Sequence, residues 1–74
     1  MLDAIQVKAQ LAMRPFRAFW LETTGGSRIR IAKPEWFFEP PDTGGTFVVF
    51  TEPGAYVVMD YDSLASMTVE ERAA

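Results

Sequence analysis

A chain of 74 residues has room for one domain and a thin core, since domains near this size bury only about 60% of their unfolded surface. It holds no cysteine and no histidine, which excludes disulfide staples, the usual zinc frameworks and a histidine-based catalytic triad. The net charge of −3 hides an asymmetry: residues 1–33 carry six basic and two acidic side chains (+4), and residues 34–74 carry one basic and eight acidic (−7).

Such a split lets one copy steer onto another, unless strands from both halves interleave and mix the charges. Hydrophobic residues make up 49% of the chain and aromatics 14%, which is much for so small an interior. Small domains often gain stability by associating, so self-association is the first expectation. The start, Met1-Leu2-Asp3-Ala4, lacks the basic and apolar regions of a signal peptide. No apolar run approaches the ~18 residues of a membrane span. A cytoplasmic protein is expected.

Residues 3–13 read as a helix. Asp3 is an N-cap candidate with Gln6 completing a capping box, and Leu2 and Val7 fit a hydrophobic staple. Leu2, Ile5, Ala9 and Ala12, with Met13 beside them, form the apolar stripe expected to cover one end of a sheet. Pro15 disfavours helix at Arg14, so Arg14-Pro15-Phe16-Arg17-Ala18-Phe19-Trp20-Leu21 is the hinge from helix to sheet. A strand is expected over Phe16–Thr23, with Phe19, Leu21 and Thr23 on one face and Phe16, Ala18, Trp20 and Glu22 on the other. Thr24-Gly25-Gly26-Ser27 is a turn. Arg28-Ile29-Arg30-Ile31-Ala32 then alternates as a hairpin partner.

Pro34 and Glu35 suit the start of a short helical turn; an irregular edge over residues 33–39 is the alternative. Residues 40–45 form a loop. Thr46–Thr51 is strongly β-prone and apolar on both faces, so it is expected to be central or covered on both sides. Pro53-Gly54 has the order of a type II turn, followed by a strand over residues 56–61. Asp62–Leu64 is a short break of 3₁₀ type. Ala65–Val69 is a last strand, and residues 70–74 a frayed tail.

The expected domain is therefore mainly β with an N-terminal α-helix: helix 3–13, sheet region 16–69, tail 70–74. One helix followed by five short strands with tight turns is the element order of the Sm-like and SH3-like small barrels, strongly bent antiparallel sheets that can close on themselves.

The series Arg14-Pro15-Phe16-x-x-Phe19, Lys33-Pro34-Glu35-Trp36, Thr46-Phe47-Val48-Val49 and Met59-Asp60, with Leu64 and Met67 behind it, resembles a group of small uncharacterised bacterial proteins. The resemblance covers most of the chain through short motifs. Gly25-Gly26 replaces the group's Asp-Gly turn, and Lys33 stands where histidine is usual, which argues against chemistry needing that histidine. The group carries no established activity, so the resemblance bears on fold more than on function.

Three constellations bear on function. Basic residues Arg14, Arg17, Arg28, Arg30 and Lys33, near Phe16, Phe19, Trp20 and Trp36, are of the kind that hold single-stranded nucleic acid by phosphate contacts and stacking. The isoelectric point near 4.7 opposes phosphate binding, and a solvated strand face is the simpler reading. Glu35, Glu39, Asp60 and Asp62 form a carboxylate set whose i, i+2 pair is a weak signal for a cation or an acid–base pair. Asp62 reads as a turn residue, and Asp60 as a partner for an arginine of the first hairpin. No nucleophile–base pair or ligand cluster is visible, so no enzyme, metal or cofactor is expected. The aromatics exceed what one core needs, and leftover surface aromatics mark interfaces. The leading expectation is a non-enzymatic interaction module. It associates with itself or another protein through a strand edge and Trp20, Trp36, Phe38 and Phe50. The alternative is an Sm-like RNA-binding protein using the five basic residues.

Overall fold

The computed structural model describes residues 2–42 and 44–70. Its elements are α1 (Ala4–Leu11), β1 (Phe19–Thr23), β2 (Arg28–Ile31), a 3₁₀ turn (Pro34–Trp36), β3 (Phe37–Phe38), β4 (Thr46–Glu52), β5 (Ala55–Asp60), a second 3₁₀ turn (Tyr61–Ser63) and β6 (Leu64–Val69). Residues 71–74 of the expected tail, and Thr43 of the expected loop, lie outside the described residues.

The expected helix, turns and β-rich remainder are present. The single five-stranded sheet is replaced by six strands in two antiparallel three-stranded sheets, β2-β1-β6 and β3-β4-β5, neither of them closed. The chain passes from the first sheet to the second at Lys33–Trp36. Pro34 has no N–H to give to a ladder, and the chain makes a 3₁₀ turn there, closed by Trp36 N–H donating to the Lys33 carbonyl at 3.1 Å. The expected short helical turn thus stands between β2 in one sheet and the two-residue β3 in the other.

The first hairpin turns through Thr24-Gly25-Gly26. Gly26 N–H donates to the Thr23 carbonyl at 3.0 Å, Thr23 N–H to the Ser27 carbonyl at 2.8 Å, and Gly26 sits at φ +92°. This is a three-residue loop whose last position is left-handed, which glycine adopts freely. Gly54, at φ +86°, fills the corresponding place in the Pro53-Gly54 turn, as a type II turn requires.

Both sheets and the helix feed one core. Leu2 and Val7 come from the helix region, Phe19, Leu21, Ile31 and Leu64 from the first sheet, and Phe47 and Val49 from the second. Phe37 stacks on Phe47 with ring centroids 4.7 Å apart, and Tyr61 lies against the same ring at 4.8 Å. Burial of such rings is the main driving force available to a domain of this size.

Several local expectations are corrected. The first strand begins at Phe19 rather than Phe16, because Arg14–Ala18 crosses from helix to sheet as irregular chain. The helix ends at Leu11 and is rolled about its axis. Val7 is its buried residue, with Leu11 packed against the core, whereas Ile5 is 77% exposed and Ala9 and Ala12 face solvent. Of the stripe expected to cover the sheet, Leu2 enters the core, while Ile5, Ala9, Ala12 and Met13 face outward. β4, expected to be central or covered on both sides, is central in its sheet, with one face in the core. Glu70 is no frayed residue: its N–H donates to the Ala18 carbonyl at 2.9 Å.

Candidate functional site

Strand alternation separates the two sides of the β3-β4-β5 sheet. Phe37, Phe47 and Val49 point into the core, and Phe38, Val48 and Phe50 point away. The register then builds the outer surface row by row. Phe38 lies opposite Val48, and Val48 opposite Val58, so three apolar side chains cross all three strands. Beside them Phe50 faces Tyr56, their rings 6.1 Å apart edge to face. Tyr56 is 62% exposed, Val58 57%, Phe38 55% and Phe50 39%. Soluble domains rarely leave so contiguous an apolar strip in water. Asp60, on the same side of β5 and exposed, stands at one end of the strip.

β5 is also an edge strand, hydrogen-bonded to β4 alone. Over Ala55–Met59 it carries no charge and no proline, so it lacks the usual devices that keep an edge from pairing with another chain.

The four expected interface residues divide. Phe38 and Phe50 sit together on the strip. Trp20 lies on the outer side of the other sheet, opposite Arg30 and Thr68. Trp36 lies half-buried in the 3₁₀ turn, with the Lys33 ammonium 5.6 Å from its ring centre. Val48, Tyr56 and Val58 were not among the four expected interface residues; alternation of Val48 with Phe47 and Val49 in β4, and of Tyr56 and Val58 with Val57 and Met59 in β5, was the available signal.

The basic set does not form one open stripe. The Glu70 carboxylate accepts from Trp20 Nε1 at 2.8 Å and from Arg30 Nε and Nη2 at 2.7 and 3.0 Å. The Arg30 hydrogen bond is the main reason Glu70 ionises below its ordinary range; desolvation opposes it and the Trp20 bond adds to it. The same pairing raises Arg30. Arg28 lies over the Trp20 ring at 4.7 Å, a cation–π contact. Arg17 Nη2 donates to the Glu70 carbonyl at 3.0 Å, while its Nε is buried with no partner. Arg14 Nη1 donates to the Leu11 and Met13 carbonyls at 3.0 and 2.7 Å, closing the helix end where carbonyls are left over. Met13, Arg14, Pro15 and Arg17 line a cleft of about 260 Å³.

The carboxylates are scattered too. Glu39 accepts from the Tyr61 hydroxyl at 2.8 Å and lies 3.4 Å from the Lys8 ammonium, tying β3 to the helix. Burial foremost, and then Glu39, push the Tyr61 phenol well above its usual range. Among the described residues Asp60 forms no ion pair with an arginine of the first hairpin; its carboxylate accepts from the Ser63 hydroxyl at 3.5 Å, while Arg30 takes Glu70 instead. Among the described residues no three His, Cys, Asp or Glu side chains gather as a metal site, and no helix is long and apolar enough to cross a membrane. No family model matches the chain, and no curated protein or solved structure shows significant similarity to it.

Proposed function

We propose that this protein is a non-enzymatic interaction module that associates with copies of itself through the outer face and β5 edge of the β3-β4-β5 sheet. The observation that carries this reading is the Phe38–Val48–Val58 row with the Phe50–Tyr56 pair beside it. A 74-residue domain that leaves Phe38, Phe50, Tyr56 and Val58 exposed around half-buried Val48 gains by covering them, at about 25 cal/mol per Å² of apolar surface. The unprotected edge of β5 borders the same surface and offers main-chain pairing to a second copy. The best-engaged carboxylates, Glu39 and Glu70, serve as structural ties, which fits a role without catalysis.

The small-barrel kinship belongs to the same reading. It is supported by β1 pairing with both β2 and the last strand β6, and by the single 3₁₀ turn joining β5 to β6. Kinship with the small bacterial proteins that share the Arg-Pro-Phe and Pro-Glu segments, and a cytoplasmic location, go with it. RNA binding by Arg14, Arg17, Arg28, Arg30 and Lys33 is the weaker alternative, since Arg30 is already engaged by Glu70 and Arg14 by the helix end.

Light scattering over a range of concentrations, at low and high salt, tests the proposal. The wild-type mass should exceed the 8.3 kDa of one chain and persist in high salt, and Val58→Asp should be monomeric. A monomer at every concentration overturns the reading. Binding to single-stranded RNA that weakens steeply with salt would replace it with the alternative.

A further inference from the structure

Among the described residues two apolar surfaces are left uncovered, and they differ in charge. The first is the strip on the β3-β4-β5 sheet, ending at Asp60. The second is the outer side of α1, where Ile5, Ala9 and Ala12 recur at helical spacing and face solvent, with exposed Met13 following. This stripe runs into the cleft lined by Met13, Arg14, Pro15 and Arg17. One surface ends in a carboxylate and the other in two guanidinium groups.

We infer that the sheet strip of one copy receives the outer stripe of α1 from the next copy, with the Asp60 carboxylate entering the Arg14–Arg17 cleft. The inference rests on the self-association proposed above and names the surface that the strip pairs with. The lengths agree. From Ile5 to the Ala12 cap is about 10 Å at 1.5 Å per residue, with the arginines just beyond. From Tyr56 to Asp60 is about 13 Å at ~3.3 Å per residue. The alanines at positions 9 and 12 leave the middle of the helix stripe shallow, so the larger Phe38, Val58 and Tyr56 side chains have room against it. The chemistry agrees as well. Arg14 and Arg17 together line this cleft with two guanidinium groups. A carboxylate arriving from another copy meets complementary charge there. Because the two surfaces are different patches, the contact is head to tail and propagates into a ring or a chain.

The experiment mixes two variants, each disabled on one surface. Ile5→Asp places a charge on the helix stripe; position 5 is exposed and in the first helical turn, where an acidic residue is favourable. Val58→Asp does the same to the sheet strip, and Tyr56→Lys is the second choice if its folding by circular dichroism is impaired. Each variant alone should be monomeric. Their equimolar mixture should contain a one-to-one dimer of twice the chain mass, because each retains the surface the other lacks. A self-associating Ile5→Asp beside a monomeric Val58→Asp overturns the head-to-tail contact, since the strip or the β5 edge then pairs with itself, and self-association survives. Two monomeric variants that fail to combine also overturn it. A monomeric wild type removes self-association, and this contact with it.

Discussion

Replacing Val7 and Ile5 one at a time tests the roll of the helix, on which the free outer stripe depends. Val7 has no exposed surface. Val7→Ala removes two methyl groups from a close-packed site. At about 0.8 kcal/mol per group for transfer from water, with a further contribution from the cavity, the expected loss is about 2 kcal/mol. Domains of this size are stable by only ~4–11 kcal/mol, so the change is large. It lowers the melting temperature by roughly 8–16 °C, at about 4–8 °C per kcal/mol. Ile5 is 77% exposed, and alanine is the better helix former, so Ile5→Ala should stay within about 0.5 kcal/mol of wild type. The assay is urea and thermal unfolding followed by circular dichroism. It is run dilute enough that association adds nothing to the apparent stability. A loss in Ile5→Ala equal to or greater than that in Val7→Ala would refute the roll. Ile5, Ala9 and Ala12 would then be core residues.

Two further predictions concern titration. Glu70 ionises below its ordinary range because Arg30 and Trp20 donate to it. A depressed folded value stabilises the fold above the unfolded pKa, about 4.3, and that contribution is lost as pH falls through the folded value. The urea midpoint of wild type should fall in this acid window, and Glu70→Gln should lack that part of the fall; parallel profiles would contradict the clamp. The Tyr61 phenol is raised from 10.0 by burial and by Glu39. Its stabilising contribution is present below the unfolded value and is lost as pH rises through the folded one. An ultraviolet titration should show a phenol ionising far into the alkaline range, and Tyr61→Phe should abolish that late step; its survival in the variant would assign it elsewhere.

Much of the fold was legible because local signals agreed with one another. The Asp3–Gln6 capping box forms with both hydrogen bonds at 3.1 Å, since its chemistry is contained within four residues. The hairpin turns at Gly26 and Gly54 were marked by glycines in the places that need positive φ. The roll of the helix was not legible. Ala4, Val7 and Leu11 form one apolar side and Ile5, Ala9 and Ala12 another, so periodicity alone does not choose between them. Tertiary packing chose the side with Val7. β4 was read correctly as apolar on both faces, but a sequence cannot say whether the second cover is part of the same chain. The bare face of Phe38, Val48 and Phe50 is the outcome. Glu70 was assigned to the tail because its partners, Trp20 and Arg30, lie 50 and 40 residues away. The same distance effect separated Trp20 and Trp36 from Phe38 and Phe50, which composition alone had grouped together.

The most direct test of the uncovered sheet face is the concentration dependence of the side-chain NMR signals. On raising the concentration, the aromatic and methyl resonances of Phe38, Val48, Phe50, Tyr56 and Val58 should shift or broaden together, while those of the buried Phe19 and Leu21 stay fixed. Spectra that do not change with concentration, or changes gathered around Trp20, Arg28 and Arg30 instead, would contradict self-association through this face.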